Sequence, residues 1–428
     1  MSRIQFQFHR RTLKNGLRVV VSPDRARPVV AVNLWYGVGS RNERSGRTGF
    51  AHLFEHMMFQ GSAHVPKNRH FELVERAGGS LNASTWFDRT NYFETLPSHR
   101  LDLALWLESD RMGWMVEAMT QEKLDNQRDV VKNEKRERYD NQPYGDWQER
   151  IQQMLWPPGH PYRHTVIGSM EDLDAAKLED VADFFRTFYV PNNAVLTVAG
   201  DVEVEDAFRR VERYFGEIPR GAPVPPIPGD SRVPIPMEAP VTEVVEADVP
   251  LPRVMMAYRV PAFTDPRFPA LDVAAAVLGS GRASRLYRSL VRTGVARDAF
   301  AYPFPLVTGA SFLLVGATGF PDTDPLALAD AVRGELATLT EVHPAEVERG
   351  LALEEARLVR ALEQMGERAD RISMSTMLFD RPERVNQEVD ELRAVTLEDV
   401  QAAASDYLVD QPHATLAYQP RTAAEVAA

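Results

Sequence analysis

The chain has 428 residues, 44% of them hydrophobic and 26% charged, which is enough for two to three domains of roughly 100–200 residues each. A formal net charge of −12 repels nucleic acid and acidic lipid surfaces, so neither is expected as a partner. There is no cysteine, which excludes disulfides and thiolate catalysis. With no apolar leader in "MSRIQFQFHRRTLKNG" and no apolar run near the roughly 18 residues that cross a bilayer, a cytoplasmic protein without a membrane segment is expected.

In chain order, residues 18–38 hold two β-branched runs around a Pro-containing turn, which predicts two strands. Helical spacing follows in "TGFAHLFEHMMF" and again in "HRLDLALWLESDRMGWM", and residues 121–138 read as a half-exposed helix. Strands first and mixed helices after them predict an α+β fold. The stretch 219–240, "PRGAPVPPIPGDSRVPIPMEAP", holds eight prolines and can continue neither a helix nor a central strand. It is therefore placed as the linker between a first domain, 1–218, and a second, 241–428.

The two halves read as copies. "LEDVADFFRTFYV" from Leu178 matches "LEDVQAAASDYLV" from Leu397 at an offset of 219, each an amphipathic helix running into a strand, "NAVLTVAG" and "HATLAYQP". At an offset of 218, "FAHLFEHMMFQGS" lies over "FPALDVAAAVLGS". The second copy carries Ala270, Val273 and Ala274 where the first carries His52, Glu55 and His56. A residue trio that the copied helix does without is not required by the fold, so its purpose in the first half is chemical.

On a helix, His52 and His56 are four residues apart and face one point, with Glu55 one turn from His52. Two imidazoles so placed are a natural pair of zinc ligands, and a hydrolytic zinc site needs a third protein ligand beside an open position. The segment "DNQRDVVKNEKRERYDNQPYG" offers carboxylates. Helical phase puts Gln127, Val131, Glu134 and Arg138 on one face and leaves Asp129 and Glu137 off it. By phase alone, Glu134 is either an inward-facing ligand or part of a solvated face.

These residues carry a resemblance. The chain resembles the pitrilysin and mitochondrial processing peptidase family, zinc peptidases with an inverted HxxEH motif, over most of its length. Besides "HLFEH" the shared segments are "GGSLNASTWFDRTNYFETLP", "RDVVKNE", "NQPYG", "HPYRHTVIG", "FYVPNNAVLTVAGDV" and "SRLYRSL". The resemblance implies two homologous domains, each a mixed, mainly antiparallel sheet packed against helices. It implies one zinc per chain held by His52, His56 and Glu134, with Glu55 as the general base that deprotonates the attacking water. It implies that the strand with Asn82 and Ala83 pairs with the substrate backbone.

Two departures from the family pattern stand out. Gln127 occupies a position, seven residues before Glu134, where the family often has a supporting glutamate, so a neutral amide is expected behind the ligands. The family's substrate-orienting Arg and Tyr are replaced by Val291 and Arg297 in "SLVRTGVARDA". The expectation is a zinc endopeptidase subunit that cuts short or unfolded peptides in a chamber shared with a second subunit. That partner is a homologous non-zinc chain supplying the Arg and Tyr, or a second copy in a homodimer. The alternatives are a non-catalytic subunit resembling the core proteins of respiratory complexes and a maturation peptidase for one precursor.

Overall fold

The computed structural model describes residues 5–421. Its strands are β1 (His9–Thr12), β2 (Arg18–Pro23), β3 (Val29–Tyr36), β4 (Ser80–Thr85), β5 (Thr90–Pro97), β6 (Ala194–Gly200), β7 (Val241–Ala247), β8 (Arg253–Pro261), β9 (Asp298–Phe304), β10 (Ala310–Thr318) and β11 (Ala414–Pro420). The fold is α+β, with two sheets covered by helices. The predicted elements form where their patterns placed them. The paired β-branched runs are β2 and β3, and the greasy segments are the helices Phe50–Met57 and Leu101–Trp114. Residues 219–240 contain neither helix nor strand, as their prolines require.

The first unit is built on a six-stranded sheet in the order β1-β2-β6-β3-β5-β4. Only the β2–β6 pair is parallel, while β1–β2, β3–β6, β3–β5 and β4–β5 are antiparallel. The second unit has the order β7-β11-β8-β10-β9, again with one parallel pair, β7–β11. Without β1 the two orders superpose strand for strand, with β2 over β7, β6 over β11, β3 over β8, β5 over β10 and β4 over β9. The repeat seen in the LEDV helices is thus a repeat of whole sheets. In the second unit the helix Phe268–Gly279 is buried nearly all round, with Val273 and Ala274 at 0% exposure in the core. The copied slot is packed shut with apolar side chains where the first half carries Glu55 and His56.

The division of the chain departs from the linear one expected from the proline-rich stretch. The unit boundary does fall inside that stretch, at Gly229–Asp230, but the first unit comprises 1–135, 164–229 and 360–388, and the second 136–163, 230–359 and 389–428. Each half hands one helix to the other's sheet. The helix Met365–Phe379, from the second half, packs on β3 and β6, and the helix Trp147–Leu155, from the first half, packs on β11 and β8. These two helices begin 218 residues apart, the spacing of the duplication itself, so the exchange is reciprocal. Ala369 of the borrowed helix packs with Ala31 and Ala199 of the sheet, all at 1% exposure or less. Ser373 Oγ donates to Thr197 Oγ1 at 2.8 Å, and Arg368 pairs with Asp24 at 2.6 Å. Small side chains let the helix lie close to the strands, and the polar pairs fix its register. No described helix is long and apolar enough to cross a membrane.

Cutting the chain between Gly229 and Asp230, through an inserted protease site, is therefore expected to leave the fragments associated in native buffer, because each retains a helix belonging to the other's sheet. Size-exclusion chromatography after cleavage checks this, and two separately eluting folded fragments would contradict the exchange.

Candidate metal centre

The site is assembled within the first unit. The helix Phe50–Met57 buries Phe50, Ala51, Leu53, Phe54 and Met57 in the core and leaves His52, Glu55 and His56 on a half-buried flank. Its first turn is held from outside. Gly49 precedes it with φ 85°, and a Cβ there would lie 2.5 Å from the Ile167 carbonyl, so both conformation and space demand glycine. The fully buried Glu43 carboxylate accepts from Gly49 N at 2.9 Å and Ala51 N at 2.7 Å. It thereby satisfies amides that the helix leaves orphaned and places a negative charge at the positive end of the dipole. His164 Nε2 lies 3.0 Å from the same carboxylate. Burial pushes the Glu43 carboxyl up and the His164 neighbour opposes the rise. Burial lowers the His164 value, but Glu43, the Ser40 carbonyl and Asp172 together outweigh this and hold it above the ordinary one. Thr48, just upstream, donates through N and Oγ1 to Asp172 Oδ2 at 2.8 and 2.6 Å.

Facing this flank is the helix Gln121–Lys135, which packs on the histidine helix and delivers Glu134. Glu134 Oε2 lies 3.3 Å from His56 Nε2 and 3.9 Å from His52 Nε2, and ligand atoms of all three residues lie within 4.8 Å of one another. The two imidazole rings meet edge to face, centroids 4.7 Å apart. Ligand atoms about 2.0–2.1 Å from one tetrahedral ion stand roughly 3.3–3.4 Å apart, so this borderline-soft set of two imidazoles and a carboxylate fits zinc. Of the two orientations that helical phase left open, Glu134 takes the inward one, toward both imidazoles.

Glu55 Oε2 accepts from Thr85 Oγ1 at 2.6 Å. Burial raises the Glu55 carboxyl above its ordinary value. The Thr85 hydrogen bond and the nearby His56 and Arg89 oppose that rise, and Glu134 adds to it.

Thr85 belongs to β4, which forms one edge of the sheet. Trp86 N donates to Arg89 O at 2.8 Å, so that pair is hydrogen-bonded and, by antiparallel alternation, so are Ser84 with Asn91 and Asn82 with Phe93. Leu81, Ala83 and Thr85 therefore turn their backbone groups away from β5. Ala83 is buried and Asn82 exposed, and Asn82 Oδ1 accepts from Ala83 N at 2.9 Å. Gln127 is buried on the Glu134 helix, and its amide donates to Asn126 Oδ1 at 2.9 Å. Val291 ends an irregular turn, Tyr287–Val291, and Arg297 is exposed just before β9.

Glu43, His164, Thr85 and Arg89 were not singled out from the sequence. Thr85 was within reach, because it shares the strand parity of Ala83. Glu43 lies seven residues before the helix it caps, and no periodicity links the two.

Residues 18–158 match the family described as Insulinase (Peptidase family M16), and residues 175–353 match the Peptidase M16 inactive domain. The zinc protease PqqE of Helicobacter pylori is 34% identical over 333 residues, 77% of this chain and 73% of that protein. The chain belongs to peptidase family M16. A protease from Helicobacter pylori of known crystal structure superposes with a TM-score of 0.90 at 30% identity, over 97% of this M16 chain and 100% of that one. The probable β subunit of the mitochondrial-processing peptidase of Arabidopsis thaliana is 26% identical over 272 residues, 63% of this chain and 50% of that protein. The periplasmic protease PqqL of Escherichia coli shares the fold, with a TM-score of 0.74 at 18% identity, and this chain covers 50% of its length.

His164 supplies a pH signature. Its folded value lies above the ordinary 6.5, so the stability it lends the histidine helix is complete below 6.5 and is lost as pH rises through the folded value. Replacing His164 with Leu leaves Glu43 buried without that partner and should cost about 2–3 kcal/mol at pH 6. Denaturant melts at pH 6 and pH 9 should show the gap between variant and parent narrowing at the higher pH, and a gap of constant size would contradict the pairing.

Proposed function

We propose that the chain is a zinc-dependent endopeptidase subunit that hydrolyses short or unfolded peptides. The observation that carries this reading is the convergence of His52, His56 and Glu134 on one point, with the Glu55 carboxylate beside it. His52, His56 and Glu134 would hold the ion, which would supply Lewis acidity and make a nearby water more acidic. Glu55 takes the proton of the attacking water as it adds to the peptide carbonyl, then returns it to the departing amine. Thr85 keeps the Glu55 carboxylate turned toward the ligands, its 2.6 Å hydrogen bond leaving the second oxygen for the proton.

The outward backbone groups of Leu81, Ala83 and Thr85 are the pairing edge for an extended substrate. For the peptide to pair at Ala83, its N–H would have to leave Asn82 Oδ1, which now accepts from it at 2.9 Å. Main-chain pairing selects an extended conformation rather than a sequence, which suits a general peptidase. Gln127, in place of a carboxylate, leaves the ligand helix with one negative charge fewer, so the ion is held somewhat less tightly.

The family's Arg and Tyr are absent at Val291 and Arg297, which supports a site completed by a second subunit, either a homologous chain without zinc or a second copy. The resemblance to a protein named as a β subunit agrees with this. The competing reading, a non-catalytic structural subunit, gives no account of an intact ligand set on a helix whose copy is packed with Ala270, Val273 and Ala274.

Glu55→Gln should keep one zinc per chain and lower peptide hydrolysis by about 10²–10⁴-fold. Glu134→Ala should lose most of the zinc itself. Metal analysis and cleavage of a fluorogenic peptide, by the chain alone and with an added family subunit, separate these outcomes. Glu134→Ala protein with full zinc, or a metal-free parent under loading conditions, would sink the reading.

A further inference from the structure

Asp370 lies in the helix that the second half lends to the first unit. Its Oδ1 accepts from Trp35 Nε1 at 2.7 Å, from Asn91 Nδ2 at 2.8 Å and from Asn33 Nδ2 at 3.4 Å. Gathering these donors on one charged oxygen makes a stiff anchor. With Nδ2 committed, Asn91 must present Oδ1 to Ser84, whose hydroxyl donates to it at 2.7 Å. Having given its proton, Ser84 Oγ accepts from Arg89 Nη1 at 2.7 Å, and the same nitrogen reaches the Ser84 carbonyl at 2.8 Å. An amide and a hydroxyl that could each turn two ways are left with one consistent setting. Strand parity puts Ser84 and Asn91 on the opposite face of the sheet from Ala83 and Thr85. The relay therefore grips β4 from behind, at the residue between the one that offers its backbone outward and the one that holds Glu55.

We propose that Asp370 is a positioning residue for peptide hydrolysis, holding β4 at Ser84 through Asn91 so that the pairing edge at Ala83 and the Thr85–Glu55 contact keep their alignment. The proposal rests on the zinc-peptidase reading and adds to it a part for the second half of the chain. Asp370 touches neither the ligands nor the edge. Its effect passes through hydrogen bonds whose donors and acceptors are all assigned. A carboxylate that served only to fasten its helix to Trp35 would have no reason to order the Asn91 amide as well.

The test uses full-length, zinc-loaded protein. In Asp370→Ala, zinc stays at one per chain, the peptide KM rises about tenfold while kcat falls less, and amide exchange over residues 81–85 speeds up about tenfold or more. Asp370→Asn keeps an acceptor oxygen for Trp35 and Asn91 and turns its NH2 to solvent, so it recovers most of the lost affinity. Asn91→Leu cuts the relay with the Asp370–Trp35 bond left in place, and it should reproduce the KM effect even where Asp370→Ala fails to fold. Parent-like KM and exchange in Asn91→Leu would overturn the proposal, as would faster exchange with an unchanged KM. A parent protein without zinc-dependent hydrolysis refutes the underlying reading instead, so the two failures are distinct.

Discussion

The architecture of the site depends on one tethered helix end. His52 and His56 can share an ion only if the short helix that carries them is held in one rotation and at one height. Eight residues are too few to persist on propensity alone. The constraint comes from the buried Glu43 carboxylate, which occupies the amides of the first turn and is itself braced by His164. Burying that charge is costly, and it is sustained because three donors surround it. The apolar flank then seats in the core through Leu53, Phe54 and Met57, and the opposite flank turns toward Glu134. Fixing the near end of the helix is what gives the far carboxylate something to meet.

The duplication shows what had to change for one copy to carry chemistry. The two sheets share their strand order and the equivalent helices sit beside equivalent strands, β4 in one and β9 in the other. Where the first copy has two imidazoles and a carboxylate, the second has Ala270, Val273 and Ala274 closed into its core. The scaffold is thus indifferent to the chemistry, and function resides in side chains set upon it.

Much of this was legible beforehand, for identifiable reasons. Strands β2 and β3 and the helices Phe50–Met57, Leu101–Trp114 and Leu178–Phe188 announce themselves by period and by punctuation. The two histidines of the candidate site stand out because polar groups interrupt an apolar helix that its own copy leaves uninterrupted. Glu134 was half legible: phase allowed it, but a charged helix offers acids on several faces, and only packing against the histidine helix decides among them. The exchange of Trp147–Leu155 and Met365–Phe379 was not legible. An amphipathic pattern says that a helix will cover a sheet, not which of two similar sheets it covers. Glu43 and Asp370 escaped for a related reason: each acts across a long sequence separation, 337 residues between Asp370 and Asn33, where no local spacing connects partners.

The borrowed helix also sets a schedule. A chain leaving the ribosome exposes the histidine helix, the edge strand β4 and the whole first sheet long before residue 365 emerges. Until then one face of β3 and β6 has no cover, and the carboxylate that organises Asn91 has not been made. Order of synthesis and order of assembly thus run in opposite senses, and the earliest-made half waits on the latest. The first sheet of such a chain stays without this cover, and its edge strand without that anchor, through most of translation, when unfolded polypeptide lies closest to hand.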